Sequence, residues 1–208
     1  MTMRKPKLRE LGEALRVLFL EGPYTAKFPK EMTVPPDAFR GKPEFDEEIC
    51  IGCGACSEVC PSRSIEVIDD LDKGKRVINL HYDICNFCGQ CHDYCTTKDG
   101  IDYSSDYDLA GPDRAAFVVS IEKELAICEI CGGSAGTKDH LSWIAKRLGS
   151  LAFANPTLTI TGLESQGQSD SSADRSESRR IGREDIFRVL CPDCRRKVYL
   201  TEEWGEQG

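Results

Sequence analysis

Apolar side chains recur at helical spacing near the start of the chain. Four leucines share this spacing: Leu8, Leu11, Leu15 and Leu18. Charged side chains fill the positions between them, so the leucines lie on one face of an amphipathic helix. The glycine–proline pair 22–23 is a typical helix stop. Such a face can pack on its own domain, on a partner subunit or on a membrane surface.

Residues 23–44 carry five prolines, which is too many for regular secondary structure. We therefore expect residues 1–44 to form an N-terminal helix followed by an extended docking arm. Farther along, β-branched and apolar residues at 65–68 and 76–80 flank a turn at 72–74, and they predict two strands.

The C-terminal half, residues 111–208, combines a helical pattern with a polar insertion. Residues 137–149 predict a helix, and four apolar residues fall on one of its faces: Leu141, Ile144, Ala145 and Leu148. Residues 162–182 are serine-rich and almost free of apolar side chains, so their burial cannot offset the entropy lost on ordering. They predict a flexible loop.

Two cysteine runs repeat one another between residues 45 and 110. CIGCGACSEVC begins at Cys50, and CNFCGQCHDYC begins at Cys85. Both follow the spacing C-x2-C-x2-C-x3-C, although Thr96 stands where proline usually follows the last cysteine. A duplicated unit this small predicts a pseudo-twofold core at residues 45–110.

The spacing within each run indicates two 4Fe-4S clusters. Three cysteines wrap one face of a cubane cluster, and in two-cluster ferredoxins the fourth cysteine ligates the other cluster. The first cluster is therefore assigned Cys50, Cys53, Cys56 and Cys95. The second cluster is assigned Cys85, Cys88, Cys91 and Cys60. Two zinc sites are the alternative for these eight cysteines, but zinc knuckles rarely form so dense a run.

Residues around these cysteines are expected to support the clusters. Gly52, Gly54 and Gly89 let backbone amides approach the sulfurs, because glycine has no Cβ. Six apolar side chains are expected to exclude water from the clusters: Ile49, Ile51, Ile65, Ile84, Phe87 and Ile101. We expect His92 to be an ordinary, partly exposed histidine.

Four further cysteines form two C-x2-C pairs in the C-terminal region: Cys128, Cys131, Cys191 and Cys194. Two such knuckles complete a tetrahedral site, for which zinc is the default ion. The gap between the pairs is longer than in ordinary zinc ribbons, and the insertion at 162–182 accounts for part of it. The prediction is a zinc-ribbon-like module holding one Zn²⁺, with a mononuclear iron or a third cluster as alternatives.

Composition narrows the class of protein. The chain has 12 cysteines and 40% hydrophobic residues. Its formal net charge of −8 argues against a general nucleic-acid-binding surface, because such surfaces are normally basic. The N-terminus lacks the pattern of a signal peptide, so we expect a cytoplasmic chain with reduced thiols rather than six disulfides. Nothing resembles a catalytic triad, a phosphate loop or a flavin fingerprint, and catalysis by this chain alone is not expected.

The chain resembles the two-cluster iron–sulfur subunit of formate hydrogenlyase and related membrane-bound NiFe hydrogenases, itself similar to the ferredoxin-like peripheral-arm subunit of respiratory complex I. The resemblance covers the N-terminal helix, the arm KFPKEMTVPPDAFRGKPEF, both cluster motifs, the stretch after Cys95 and the second cysteine region with CPDCRRK. FRGKPE directly before CIGCGAC is its most specific segment. It implies partners in the hydrogenase small and large subunits and a membrane-arm subunit, with the N-terminal helix at the membrane interface.

The expected fold is α+β: a bacterial dicluster ferredoxin-like core with an N-terminal amphipathic helix and arm, and a C-terminal zinc-ribbon-like module. The leading hypothesis is an electron-transfer subunit of a membrane-associated hydrogenase or complex-I-like oxidoreductase. A freestanding soluble dicluster ferredoxin is the alternative, but its core needs only residues 45–110. A third hypothesis is a zinc-ribbon interaction protein that uses the ferredoxin core for redox sensing.

Overall fold

A computed structural model describes residues 8–21, 25, 27–36, 38–167 and 182–200. The chain divides into two compact units, one ending at Phe39 and the other beginning at Arg40. The following paragraphs take each unit by itself.

The first unit contains helix α1 (Leu8–Arg16), which continues into a π-helical turn, Val17–Glu21. A helix is therefore present where the leucine spacing predicts one, and the four leucines at 8, 11, 15 and 18 are exposed within this unit. The predicted stop at 22–23 lies outside the described residues. None of the helices in the described part of the chain has the length and apolar character needed to cross a bilayer.

The described residues of the second unit form six strands: β1 (Pro43–Phe45), β2 (Ile65–Asp70), β3 (Lys75–His81), β4 (Ile101–Tyr103), β5 (Val118–Ile127) and β6 (Ser134–Thr137). Strands β1 and β4 pair antiparallel, so the beginning and the end of the duplicated core meet in one small sheet. The other four strands form an antiparallel sheet in the order β2-β3-β5-β6. Strands β2 and β3 are the two that the sequence predicts.

Helices and helical turns fill the connections. The α-helices are α2 (Ala55–Glu58), α3 (Gln90–Asp93), α4 (Lys138–Leu148), α5 (Pro156–Ser165) and α6 (Pro192–Leu200). Shorter 3-10 turns occupy Arg114–Phe117, Gly149–Ala154 and Arg183–Phe187. Helix α4 is the predicted helix. Helix α5 runs to Ser165, so the predicted loop starts too early, and residues 168–181 lie outside the described residues.

Strand β5 carries the sheet beyond the duplicated core. It pairs with β3 over its first seven residues, which sets Ile121 opposite Ile78. The core under this sheet consists of buried side chains from β2, β3, β5 and the segment after β3: Ile65, Ile78, Leu80, Tyr82 and Ile121. Four cysteines of the two runs pack against the same core: Cys50, Cys56, Cys60 and Cys91. The sheet therefore supports both cysteine runs.

Two smaller apolar clusters hold the C-terminal region together. One joins α4 and α5 through Ala126, Leu141, Ala152, Leu158 and Val189. The other surrounds the C-terminal cysteines and includes Leu190 and Val198.

Thr137 connects the large sheet to the C-terminal helices, since it is the last residue of β6 and the N-cap of α4. Its hydroxyl accepts a hydrogen bond from the backbone N–H of His140 at 3.3 Å, and donates one to the carbonyl of Ile51 at 2.5 Å. The residue is fully buried. One side chain thus satisfies a helix N-terminus and a carbonyl of the first cysteine run.

We expect Thr137→Val to lower the free energy of unfolding by about 1–3 kcal/mol, because it removes a cap and leaves a buried carbonyl unpaired. Thr161→Val is the matched control. Thr161 is also buried, but its hydroxyl has no hydrogen-bond partner among the described residues, so its loss should be neutral or stabilising. Anaerobic urea unfolding followed by circular dichroism measures both. Equal losses for the two variants would contradict the assigned role of Thr137.

Candidate metal centres

The first cysteine group surrounds a cavity between the two runs. Four cysteines line it: Cys50, Cys53, Cys56 and Cys95. Apolar side chains such as Phe45, Ile78 and Ile101 close the rest of the wall. Three of the four sulfurs come from the first run, and the fourth comes from the end of the second run.

The second cysteine group mirrors the first. Its cavity is lined by the other four cysteines: Cys60, Cys85, Cys88 and Cys91. Here three sulfurs come from the second run and one from the end of the first run. The structure therefore brings the eight cysteines together in the two crossed sets that the spacing predicts. Ligation by these sets stays a prediction.

The sulfurs within each set lie close enough to influence one another. Burial and the neighbouring thiols Cys50 and Cys53 raise the pKa of Cys56 to about 12. Burial also raises the pKa of Cys91 to about 11, and the neighbours Cys85 and Cys60 add to this effect. These thiols stay protonated at neutral pH until a cationic group replaces their protons, as metal ligation requires.

Both sets fit an iron–sulfur cluster by the chemistry of their donors. Four sulfurs around an apolar cavity match the four thiolates that a cubane cluster takes. Cys56 of the first set also acts electrostatically on its neighbour Cys91 in the second, so the two cavities are adjacent. Short helices α2 and α3, which carry these two cysteines, lie in contact.

Glycines shape the loops as expected. Gly52, Gly54 and Gly89 have φ angles of 66°, 81° and 88°, which only glycine adopts without strain. Gly54 and Gly89 stand at equivalent positions, directly before α2 and α3. The pseudo-twofold repeat in the sequence is therefore a repeat in backbone conformation.

Side-chain hydroxyls approach three of the eight cysteines: Cys53, Cys60 and Cys95, the last of which has its Sγ 3.4 Å from the Thr97 hydroxyl. The Thr96 hydroxyl lies 3.2 Å from Cys53 Sγ, so the residue that replaces the usual proline gains a contact with the first set. The Ser64 hydroxyl lies 3.2 Å from Cys60 Sγ. Burial alone would raise the pKa of Cys60, but hydrogen bonds from Ser64 and Ser62 outweigh it and lower the pKa.

The exclusion of water follows the prediction only in part. Ile51, Ile65 and Ile101 are buried, as expected. Ile49 and Ile84 are 41% and 46% exposed, so the prediction is wrong for these two, because each lies just before a run on the solvent side. His92 is about one-third exposed and ordinary in its ion-pair contacts, as expected.

Three side chains that the sequence did not single out hold the backbone of the first run and of the residues just before it. Arg76 Nη1 donates to the carbonyl of Gly52 at 3.0 Å, and Lys123 Nζ donates to the carbonyl of Glu47 at 2.6 Å. Thr137 binds the carbonyl of Ile51, as described above. The only available signal was the position of Thr137 at the start of the predicted helix 137–149. Nothing in the spacing marks the other two.

The C-terminal cysteines form a third group: Cys128, Cys131, Cys191 and Cys194. Their sulfurs all lie within 4.8 Å of one another, and all but Cys131 are buried. Within the described part of the chain, this is the group whose ligand atoms converge closely enough for a single ion. The two pairs that are distant in sequence therefore meet, as predicted.

The local backbone explains how each pair points inward. Cys128 follows β5, and the N–H of Gly133 bonds to Cys131 Sγ at 3.4 Å in the turn after it. Cys194 lies in the first turn of α6, where its N–H bonds to Cys191 Sγ at 3.4 Å. Burial alone would raise the pKa of Cys128, but N–H groups from Cys131 and Cys191 outweigh it and lower the pKa to about 7. The pKa values of Cys131 and Cys194 are raised instead, so a cation that binds the four converging sulfurs would have to replace their protons.

Comparison with known proteins identifies the central region. Residues 49–98 match the 4Fe-4S dicluster domain. NAD(P)H-quinone oxidoreductase subunit I of Gloeobacter violaceus is 31% identical over 113 residues, which cover 50% of this chain and 53% of that protein. Formate hydrogenlyase subunit 6 of Escherichia coli is 29% identical over 182 residues, which cover 86% of each chain.

One solved structure with a similar chain is that of the membrane-bound sulfane sulfur reductase, an archaeal respiratory membrane complex. The aligned part is 30% identical in sequence and covers 55% of this chain and 61% of that chain, with a TM-score of 0.37. The match spans about half the length of the quinone oxidoreductase subunit. The chain is thus a mixed helix-and-sheet protein with a 4Fe-4S dicluster domain, homologous to quinone oxidoreductase subunit I and to formate hydrogenlyase subunit 6.

Proposed function

We propose that this chain is an electron-transfer subunit of a membrane-associated hydrogenase or complex-I-like oxidoreductase. The observation that carries the proposal is the pair of adjacent cavities, each lined by three cysteines of one run and the last cysteine of the other. One 4Fe-4S cluster is proposed for Cys50, Cys53, Cys56 and Cys95. A second is proposed for Cys60, Cys85, Cys88 and Cys91. Each cluster, when bound, accepts and releases one electron.

The chain's own residues serve this function by fixing distance and excluding water. Crossed cysteines link each cavity to both runs, so neither site can move away from the other without bending both loops. Buried Ile51, Ile78 and Ile101 keep the surroundings apolar, and burial is one of the features that sets the potential of such clusters.

The proposed partners are hydrogenase small and large subunits and a membrane-arm subunit. The relationship to formate hydrogenlyase subunit 6 supports this choice over a freestanding ferredoxin, because it extends over 86% of both chains and beyond the dicluster domain. Residues 1–44 would act as the docking arm, residues 45–110 as the dicluster domain and residues 111–208 as the metal-knuckle region. The proposed location is the cytoplasmic side of the membrane.

The N-terminal helix is proposed as the amphipathic docking element. Its leucines at 8, 11, 15 and 18 are exposed within their own unit, which leaves an apolar face available for a membrane or membrane-arm subunit. The C-terminal group is proposed as a zinc-ribbon-like site with one Zn²⁺, because four converging sulfurs favour a tetrahedral d10 ion.

The crossed assignment predicts which cluster each cysteine variant loses. We expect Cys95→Ala to lose the first cluster, although Cys95 belongs to the second run. Electron paramagnetic resonance of the cluster that remains should then match Cys50→Ala and differ from Cys85→Ala. A remaining signal that matches Cys85→Ala instead would contradict crossed ligation.

The metal assignment predicts about eight iron, eight sulfide and one zinc per anaerobically purified chain. Cys131→Ala should remove the zinc and leave the iron unchanged, because only the C-terminal group loses a ligand. Cys50→Ala is the reciprocal control, which should lose iron and keep zinc. About twelve iron without zinc in the unaltered chain would assign a third cluster to the C-terminal cysteines.

The docking assignment predicts that deletion of residues 1–22 leaves both clusters intact and releases the subunit from membranes. A finer pair of variants tests the leucine face. Leu11→Ser with Leu15→Ser should reduce the membrane-bound to free ratio about tenfold or more, since each buried leucine contributes about 1.5–3 kcal/mol. Arg9→Ser with Glu13→Ser alters the other faces and should have little effect. Co-sedimentation with membranes measures both, and unchanged binding of the leucine variant would contradict the assignment.

A further inference from the structure

The hydroxyl of Tyr103 is buried without a partner. Tyr103 ends strand β4, and its Oη has no hydrogen-bond partner among the described residues. A buried hydroxyl without a hydrogen bond is costly, and native proteins rarely leave one unpaired. The position of this hydroxyl therefore calls for a ligand that accepts a hydrogen bond.

The hydroxyl points toward the second cysteine group. Tyr103 lines the same cavity as Cys60, Cys85, Cys88 and Cys91. A Cβ built on Gly89, which lies between two of these cysteines, would collide with Tyr103 Oη. The glycine thus leaves the space that the hydroxyl occupies beside the loop.

The ring that carries this hydroxyl is held in place from two sides. The imidazole of His92 packs against it with ring centroids 4.9 Å apart. On the backbone side, Tyr103 pairs with Pro43 in the small sheet formed by β1 and β4. A fixed ring keeps its hydroxyl directed at one place, which is the condition for a specific hydrogen bond.

We propose that Tyr103 Oη donates a hydrogen bond to a sulfur of the cluster held by Cys60, Cys85, Cys88 and Cys91, and thereby raises the reduction potential of that cluster. The inference rests on the proposed function, because it requires the cluster to be bound. Hydrogen bonds to sulfur stabilise the more negative, reduced cluster and so raise its potential. In this role Tyr103 contacts a sulfur of the cluster, but it does not coordinate iron and does not exchange electrons.

To donate this hydrogen bond, the Tyr103 hydroxyl must be protonated. A tyrosine hydroxyl with its ordinary pKa of about 10 is protonated at physiological pH, and burial raises the pKa of Tyr103 above that value. Tyr103 is therefore a neutral donor throughout the physiological pH range. Among the described residues that line the first cavity, no tyrosine occurs, and the hydroxyls that contact its cysteines belong to Thr96 and Thr97. The effect should be confined to the second cluster.

The test is Tyr103→Phe in the full-length, anaerobically purified chain. At a fixed ambient potential, the ratio of reduced to oxidised second cluster should fall about three- to tenfold, where tenfold corresponds to a shift of about 59 mV for one electron. The first cluster should not shift. Potentiometric titration followed by electron paramagnetic resonance measures both, with the signals assigned from the cysteine variants.

Tyr82→Phe is the matched control. Tyr82 is also a buried tyrosine near the second group, but its hydroxyl already donates to the Pro43 carbonyl at 2.6 Å. Its loss should lower thermal stability and leave both potentials unchanged. An equal potential shift in the two variants would mean that loosening of the small sheet causes the shift, and would overturn the proposed hydrogen bond.

Spectroscopy gives an independent reading. Electron–nuclear double resonance of the reduced second cluster, compared in H2O and D2O, should show a proton signal that D2O removes and that Tyr103→Phe lacks. An unshifted potential with the same exchangeable protons, in a variant that keeps about eight iron, would overturn the hydrogen bond and leave the proposed function intact.

A further substitution covers the case in which Tyr103→Phe fails to hold its cluster. Replacing Tyr103 with 3-fluorotyrosine keeps the ring and the hydroxyl but makes the hydroxyl a stronger donor. The potential of the second cluster should then rise, and a fall or no change would overturn the proposal. An unaltered chain without iron would instead overturn the proposed function, and this inference with it.

Discussion

The geometry of the first cysteine run depends on three side chains that hold backbone carbonyls in the run and just before it. A loop that directs several sulfurs at one point cannot satisfy its carbonyls within a helix or strand, so it needs donors from elsewhere. Arg76, Lys123 and Thr137 supply them, and they come from β3, β5 and β6 respectively. The sheet that continues past the duplicated core is therefore part of the support for the first metal centre, and the C-terminal region is attached to the centre by the same contacts.

This support also places charge beside the first run. Arg76 forms a two-pronged ion pair with Asp69, with its Nε 2.6 Å from Oδ1, and Lys123 Nζ lies 3.0 Å from Asp139 Oδ2. Side chains of both cations are mostly buried, and a buried charge is tolerated only when it is paired and hydrogen-bonded. The carboxylates satisfy part of each cation, and the carbonyls of the cysteine loop satisfy another part. Loss of either carboxylate would therefore disturb the loop as well as the ion pair.

The sequence predicts local features of this molecule well and distant ones poorly. The cysteine spacing indicates the two crossed sets only because it repeats the known two-cluster pattern, since each set joins both runs. The glycines at 54 and 89 are a local feature, because each takes its positive φ angle within one turn of its own run. Strand β5 was not predicted, since its place in the sheet depends on pairing with β3 across a long separation. The same reason hides Arg76 and Lys123, whose partners lie 24 and 76 residues away. Long-range contacts of this kind leave no periodic signal in one sequence.

The two halves repeat in backbone and differ in what surrounds their sulfurs. The first group has a threonine hydroxyl at Cys53 and a loop tied to the large sheet. The second has serine hydroxyls at Cys60 and lies beside the small sheet that ends at Tyr103. When two iron–sulfur clusters have the same four cysteine ligands, hydrogen bonds to the sulfurs and the degree of burial determine how their reduction potentials differ. The duplicated run thus accounts for two adjacent centres with the same backbone, and their unequal surroundings give the pair a basis for two different potentials.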